Sequence, residues 1–374
     1  MRHSIVALSG ALVLTAAACG GGGTAAPSSA PAAAKTSSPA AAASAAKPAA
    51  SASAKPAGPA SAKPAASGGA QLTPPTRPVE FVISTAPGGG SDIYARRMQA
   101  IIESQKLSPV PVTPLNKEGG SGAVAFQYVF DKKGDPSEIM ITLNSFFTTI
   151  IVQKLNFKAT DFTPVANMAL DPFYLWVNED SPWKTAQDFI NAAKANSLVV
   201  AGTGSKQEDE ALFRRIQKLT GAKPFSYVPQ SGGGQVAAAL AGHQAGVVAT
   251  VNNPSEGKGL YSGNPRKIRP LCTFEPSSPS SSTFSSIPTC KSQGLDIDDY
   301  YIVRSILAAP GLNAGQQAFW VDLFKKVYES SDWQQFMKDN DLKPDFRSGA
   351  EFEKLIADYQ KLHEDIAKEF NWVQ

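Results

Sequence analysis

The chain has 374 residues, with 43% hydrophobic and 18% charged side chains, and a formal charge of +3. Five of its 35 lysines and arginines lie in the first 71 residues, along with none of its 32 acidic residues, so the remainder carries a charge near −2. That balance excludes a basic nucleic-acid binder, and the 3 cysteines and 3 histidines leave little material for a metal cluster.

Residues 1–18 read as an export signal. Arg2 and His3 form a positive head, and Ile5 to Leu14 is mostly apolar, too short to span a bilayer. Ala16-Ala17-Ala18-Cys19-Gly20 resembles a lipobox, with cleavage before Cys19 and lipid on its thiol. Residues 19–71 are, after Cys19, almost entirely alanine, proline, serine, glycine and lysine, with no aromatic or acidic residue. Such a segment buries no core and reads as a disordered tether, spanning roughly 40 Å as a flexible coil.

Residues 72–374 suffice for two cored domains, and strand and helix signals alternate along them. Phe81-Val82-Ile83 reads as a buried strand, broken by Pro87 and by Gly88-Gly89-Gly90. Ser91 or Asp92 is the expected cap of a helix whose apolar face holds Ile93, Met98, Ile101 and Ile102. A glycine loop running into a helix start offers bare amides to an anion. Val110 to Leu115 reads as an edge strand, and Asn116 to Gly122 as a second glycine loop before a helix from Ala123. Gly120, Gly122 and Ala125 match a dinucleotide pattern. The next strand, Ile139 to Leu143, ends at Asn144 rather than at the acid a ribose requires, which argues against that use.

Asn144 and Ser145 stand just past that strand end, where open α/β sheets bind ligands. Phe173 to Val177 is strongly β-prone. Thr185 and Asp188 form a capping box for a helix ending near Asn196. Leu198 to Ala201 is a buried strand closed by Gly202-Thr203-Gly204-Ser205. The following helix, with Leu212, Phe213, Ile216 and Leu219 on one face, stops at Gly221. Gln230-Ser231-Gly232 and Asn252-Asn253 close two more strands. Tyr300 to Leu307 is long and apolar enough to return between domains. Two helices follow, near 314–329 and 350–370, the second opened by a capping box of Ser348 and Glu351.

Enzyme signatures are missing. His3 lies in the signal, His243 in a small-residue turn and His363 in a charged helix, and no nucleophile elbow or metal spacing occurs. Glu208, Asp209 and Glu210 are consecutive at a helix start, a pattern read as capping and solvation.

From about Arg77 to Phe370 the chain resembles the substrate-binding proteins of tripartite tricarboxylate transporters, the Bug or TctC receptors. The matching pieces are Ala86 to Asp92, Asn116-Lys117, Lys133 to Pro136, Asp161 to Ala166, Ser181-Pro182, Lys184-Thr185, Gly202 to Ser205, Tyr227 to Pro229, Ser231 to Gly234 and Asn252 to Glu256. The resemblance implies an α/β fold like that of periplasmic binding proteins, with two lobes and a ligand cleft between them. The first lobe would take residues 72–177, the second 178–299, and the first again 300–374.

It further implies a non-enzymatic, extracytoplasmic receptor for a small carboxylate, monomeric and without a cofactor or metal. The lipid at Cys19 would hold it to the bacterial envelope, and transporter membrane subunits would be its partners. The binding roles map onto Ala86, Pro87, Gly88, Gly89, Gly90 and Ser91, onto Asn144 and Ser145, and onto Gly202, Thr203, Gly204 and Ser205. They map also onto Gln230, Ser231, Gly232, Asn252 and Asn253. Two departures stand out: Gln230-Ser231 replaces an aromatic and a lysine, and Glu210 stands where relatives often have histidine. Both disfavour a highly anionic ligand such as citrate and leave a mono- or dicarboxylate, or a more neutral solute. A sensor or scaffold lipoprotein is the alternative role, with an enzyme acting on a small carboxylate behind it.

Cys272 and Cys290, 18 apart around a Ser/Pro-rich segment, are the only thiols beyond the tether, and an exported chain would join them.

Overall fold

The computed structural model describes residues 71–279, 281–297 and 300–373. The signal, Cys19 and the tether up to residue 70 lie outside the described residues.

The elements in order are β1 (Val79–Ile83), α1 (Gly90–Ser104), β2 (Val112–Asn116), α2 (Ala123–Phe130), β3 (Glu138–Thr142), α3 (Ser145–Val152) and β4 (Thr163–Asp171). They continue with β5 (Tyr174–Asn178), α4 (Ala186–Ala195), β6 (Val199–Thr203), α5 (Glu208–Thr220), β7 (Ser226–Gln230), α6 (Gly233–Ala241) and β8 (Ala249–Asn252). The chain ends with α7 (Pro254–Ser262), β9 (Ile268–Thr273), β10 (Ile302–Ala308), α8 (Ala314–Glu329), α9 (Ser331–Asp339) and α10 (Gly349–Glu369).

Two five-stranded sheets result, ordered β2-β1-β3-β10-β4 and β7-β6-β8-β5-β9. In the first, β1 runs parallel to β2 and β3, and β10 runs antiparallel between β3 and β4. In the second, β6 runs parallel to β7 and β8, and β5 antiparallel between β8 and β9. This is the two-lobed α/β architecture of the resemblance. Helices cover both faces of the first sheet: Tyr94, Met98, Trp320 and Phe324 pack on one side, Phe126, Phe146 and Phe352 on the other.

The lobe boundary at 177 needs correction. Tyr174 to Asn178 is the fourth strand of the second sheet, so the chain crosses at Pro172-Phe173. The first lobe is completed instead by the nine-residue β4, whose strand signal Pro164 and the buried polar Asn167 obscure. Pro270 similarly hides β9, which is an edge strand and tolerates it. Two expected caps also differ. The N-cap of α1 is Gly89, with Ser91 and Asp92 already inside the helix, and Ser348 caps α10 without a side-chain hydrogen bond. Cys272 and Cys290 are joined by a disulfide, Cα atoms 4.9 Å apart, tying β9 to the turn that precedes β10.

Candidate functional site

The parallel strands of both sheets end on one cleft. It holds a cavity of about 580 Å³. Ser84 and Thr85 line it past β1, Glu118 to Gly122 past β2, and Ser145 past β3. Thr203, Gly204, Ser205 and Gln207 enter from the end of β6, and Pro229, Gln230 and Ser231 from the end of β7. Strand ends are where ligands meet open α/β sheets, because the following helix starts leave amides free. Here α2, α3 and α5 begin at the cavity behind Gly122, Asn144 and Gln207, none of which caps with its side chain. By contrast α4, α8 and α9 are capped by Thr185, Asn313 and Ser330. The cleft therefore meets the positive ends of α2 and α3, whereas the first turn of α5 carries Glu208, Asp209 and Glu210. Among the described residues that line it, none is lysine, arginine or histidine, and Glu118 carries the one formal charge.

The first glycine loop does not line this cavity. Its amides have partners already: Gly88 donates to Asp92 Oδ2 at 2.9 Å, Gly89 to the Ala86 carbonyl at 3.3 Å, and Gly90 to Glu256. Open donors at Gly88 to Gly90 are therefore a corrected expectation. The loop works as a contact between lobes. Ala86 N donates to the Ser231 carbonyl at 3.3 Å, and Glu256, from α7 of the second lobe, takes the Gly90 amide at the start of α1. A second clasp joins Ser121 to α5, with Gln207 Nε2 donating to the Ser121 carbonyl at 2.7 Å.

The other mapped residues divide. Ser145, Thr203, Gly204, Ser205, Gln230 and Ser231 line the cavity, whereas Asn144, Gly202, Gly232, Asn252 and Asn253 do not. Asn144 is spent on the return strand, donating to the Tyr301 carbonyl at 2.8 Å and accepting from Val303 N at 3.0 Å. Asn253 caps α7. Gly202 has no room for a side chain beside Tyr227 and Asp209.

Behind the cavity, sharing Thr85 and Thr203 with it, lies an inner chamber about the size of one water molecule. Glu208, Asp209, Glu256, Asn253 and Arg304 line it. Reading the acidic triplet as solvated is thus corrected: Glu208, Asp209 and Glu210 are all buried. Capping does hold. Asp209 Oδ2 accepts from Thr203 N at 2.6 Å, and Glu210 accepts from Lys206 N at 2.7 Å and from Arg214 at 3.1 Å. Burial pushes Glu208 up to about 7, against its own amide, Arg304 and the Ser145 amide. Burial also raises Glu256 to about 7, although Arg304 and the Gly90 amide pull it down. Asp209 is raised well above the usual range by burial and by Glu208 and Glu256. Arg304 is already paired with Asp171 at 2.6 Å, so one guanidinium acts on three buried carboxylates, Asp171, Glu256 and Glu208.

The family model for the tripartite tricarboxylate transporter family receptor matches residues 95–372. The chain belongs to that family. A UPF0065 protein of Cupriavidus necator is 26% identical over 296 residues, 78% of this chain and 87% of that protein. MatC from Rhodopseudomonas palustris, solved with bound malate, superposes with a TM-score of 0.69 at 21% identity, covering 78% of this chain and 99% of MatC. A second R. palustris protein, solved with adipate, gives 0.66 at 22% identity over 79% of this chain and 97% of its own. The family is one of solute-binding receptors rather than enzymes. In this receptor His363 is a buried structural group, its ring nitrogens 2.7 Å from the Tyr359 carbonyl and 3.1 Å from the Tyr300 hydroxyl. Among the described residues no helix of the receptor is long and apolar enough to cross a membrane.

Sequence reasoning missed Ser84, Thr85, Gln207, Glu208, Glu256 and Arg304. The first two carry a readable signal, since they directly follow Ile83 at a strand end. Arg304 lies inside an apolar strand, where a lone arginine is itself a sign of a buried partner.

Proposed function

We propose that this receptor captures a small carboxylate in the cleft between its lobes and presents it to the membrane subunits of a tripartite tricarboxylate transporter. It acts outside the cytoplasm as a monomer, anchored by lipid on Cys19, and without catalysis, metal or cofactor. The observation that carries this reading is the cavity at the strand ends of both lobes, bordered by three helix starts without side-chain caps. An anion there meets amide dipoles and hydroxyls rather than a basic side chain. Each charge-assisted hydrogen bond contributes about 1.5–3 kcal/mol net. Three or four of them reach micromolar affinity, about −8 kcal/mol, after the ordering costs. The malate and adipate bound by two structural relatives support a carboxylate. Lining groups come from both lobes, so ligand binding shifts the population toward the closed state.

Calorimetry across a carboxylate panel, with small-angle scattering of the same samples, tests the reading. The expected result is micromolar binding of at least one small carboxylate with a fall in radius of gyration. No binding by any carboxylate overturns it. For the anchor, Cys19→Ser is expected to release the protein from membranes, and unchanged membrane fractionation overturns that part.

A further inference from the structure

Four buried polar atoms around the cleft have no hydrogen-bond partner: Ser84 Oγ, Thr85 Oγ1, Gln207 Oε1 and Glu208 Oε2. Ser84, Thr85 and Gln207 line the main cavity, and Thr85 and Glu208 line the inner chamber. Gln207 is oriented by its own bond. Its Nε2 donates to the Ser121 carbonyl, which leaves Oε1 as the end without a partner. Gln207 Oε1 and ionised Glu208 are acceptors only, and the two hydroxyls accept as well as donate. A carboxylate is also acceptor-only. It can take the hydroxyl protons but cannot satisfy Gln207.

We infer that the solute is a monocarboxylate bearing several hydroxyl groups, and that Gln207 and Thr85 select it by accepting from those hydroxyls. This rests on the carboxylate reading above and narrows it. Three further features of the cavity agree. Its lining side chains are mostly hydroxyls and amides, with Pro229 the one apolar side chain, so hydroxyl groups on a solute find partners around the cavity. Its lining supplies no basic side chain for a second carboxylate, and Glu118 opposes one. Its volume, about 580 Å³, sits in the middle of the range for small-molecule sites and exceeds what a two- or three-carbon acid fills.

The test is calorimetry of the purified full chain with four probes: gluconate, hexanoate, adipate and glucitol. Gluconate is expected to bind at least about tenfold tighter than hexanoate or adipate, the cost of leaving buried acceptors unpaired. Thr85→Val, which keeps the side-chain volume, and Gln207→Leu are each expected to weaken gluconate about tenfold and to weaken hexanoate by less. Thr85 Oγ1 has no partner in the fold, so Thr85→Val keeps the test available if Gln207→Leu does not fold. Hexanoate or adipate binding as tightly as gluconate, or folded variants that bind gluconate like wild type, overturns the hydroxyl selection and leaves the carboxylate function standing. Glucitol binding as tightly as gluconate overturns the carboxylate and keeps the hydroxyl selection. No binding by any of the four overturns both.

Discussion

The carbonyl oxygen of Gly88, in the first lobe, lies 2.7 Å from the point where a β-carbon on Gly234, in the second, would stand. The three nearest atoms all belong to the Gly88 backbone, so no side chain can turn aside to make room. Gly234 lies in the first turn of α6, where alanine is the better helix former. Gly234→Ala is therefore expected to leave each lobe folded while holding the two apart. Scattering should show a radius of gyration that no longer falls on adding the best carboxylate, with affinity down at least about tenfold. Gly259→Ala, with nothing within 4 Å of its β-carbon, is the control. A Gly234→Ala protein that closes and binds like wild type refutes the contact.

The lobe contact explains which parts of the site were legible. Glycine loops after strands were visible as glycine, and Thr203 to Ser205, Gln230 and Ser231 do line the cavity. The Gly88 to Gly90 loop has the same local pattern but a different role, because Asp92, Ala86 and Glu256 fill its amides. The first two partners are local and could be read from a turn. Glu256 is 166 residues away, and only the closed fold brings it there. Strands with regular β-branched runs were readable. β4 and β9 were not, since a proline and buried polar residues break their pattern and tertiary pairing restores it.

Glu256 also sets a pH dependence. Its carboxyl titrates near 7 in the folded chain, against about 4.3 for a free glutamate. Between those values the folded state holds a proton that the unfolded state has lost. Stability therefore falls as pH rises from about 4.5 to 7 and levels off above. Glu256→Gln keeps an acceptor for the Gly90 amide without the charge. It should raise stability at pH 8, flatten the slope between pH 5 and 7, and raise stability much less at pH 5. The gain is bounded by about 4 kcal/mol for a shift of this size, and Glu208 retains its own part of the slope. Urea unfolding at pH 5 and pH 8 measures it. An equal slope in the two proteins would falsify the assignment to Glu256.

The Cys272–Cys290 bond closes a loop with a sequence separation of 18, worth about 3 kcal/mol in the chain-entropy model. Both sulfur-bearing residues are buried, and Cys272 packs with Leu175 and Phe274 in the second lobe's core. Thiol titration of the unfolded, unreduced protein carrying Cys19→Ser should find no free group. Reduction should lower stability by about the figure above. Two titratable thiols in that sample would show that the bond does not form.

Arg304 is the cation on which the interlobe network rests. It is buried in β10, donates to Asp171 at 2.6 Å and 3.0 Å and to Ser91 Oγ at 3.2 Å, and stands 4.7 Å from the Tyr94 ring. Burial opposes its charge, but Asp171, Tyr94 and Glu256 outweigh that and raise its pKa. Replacing one partner of a buried pair strands the other. Arg304→Met is thus expected to cost about 3–5 kcal/mol. The loss should be larger at pH 8 than at pH 5, because Asp171 and Glu256 can take up protons when the guanidinium is gone. Adding Asp171→Asn to Arg304→Met removes one stranded charge and should recover a measurable part of the stability, most clearly at pH 8. Chemical denaturation of the two variants at both pH values decides it. If the double variant is no more stable than Arg304→Met alone, the guanidinium holds the site by packing rather than by charge.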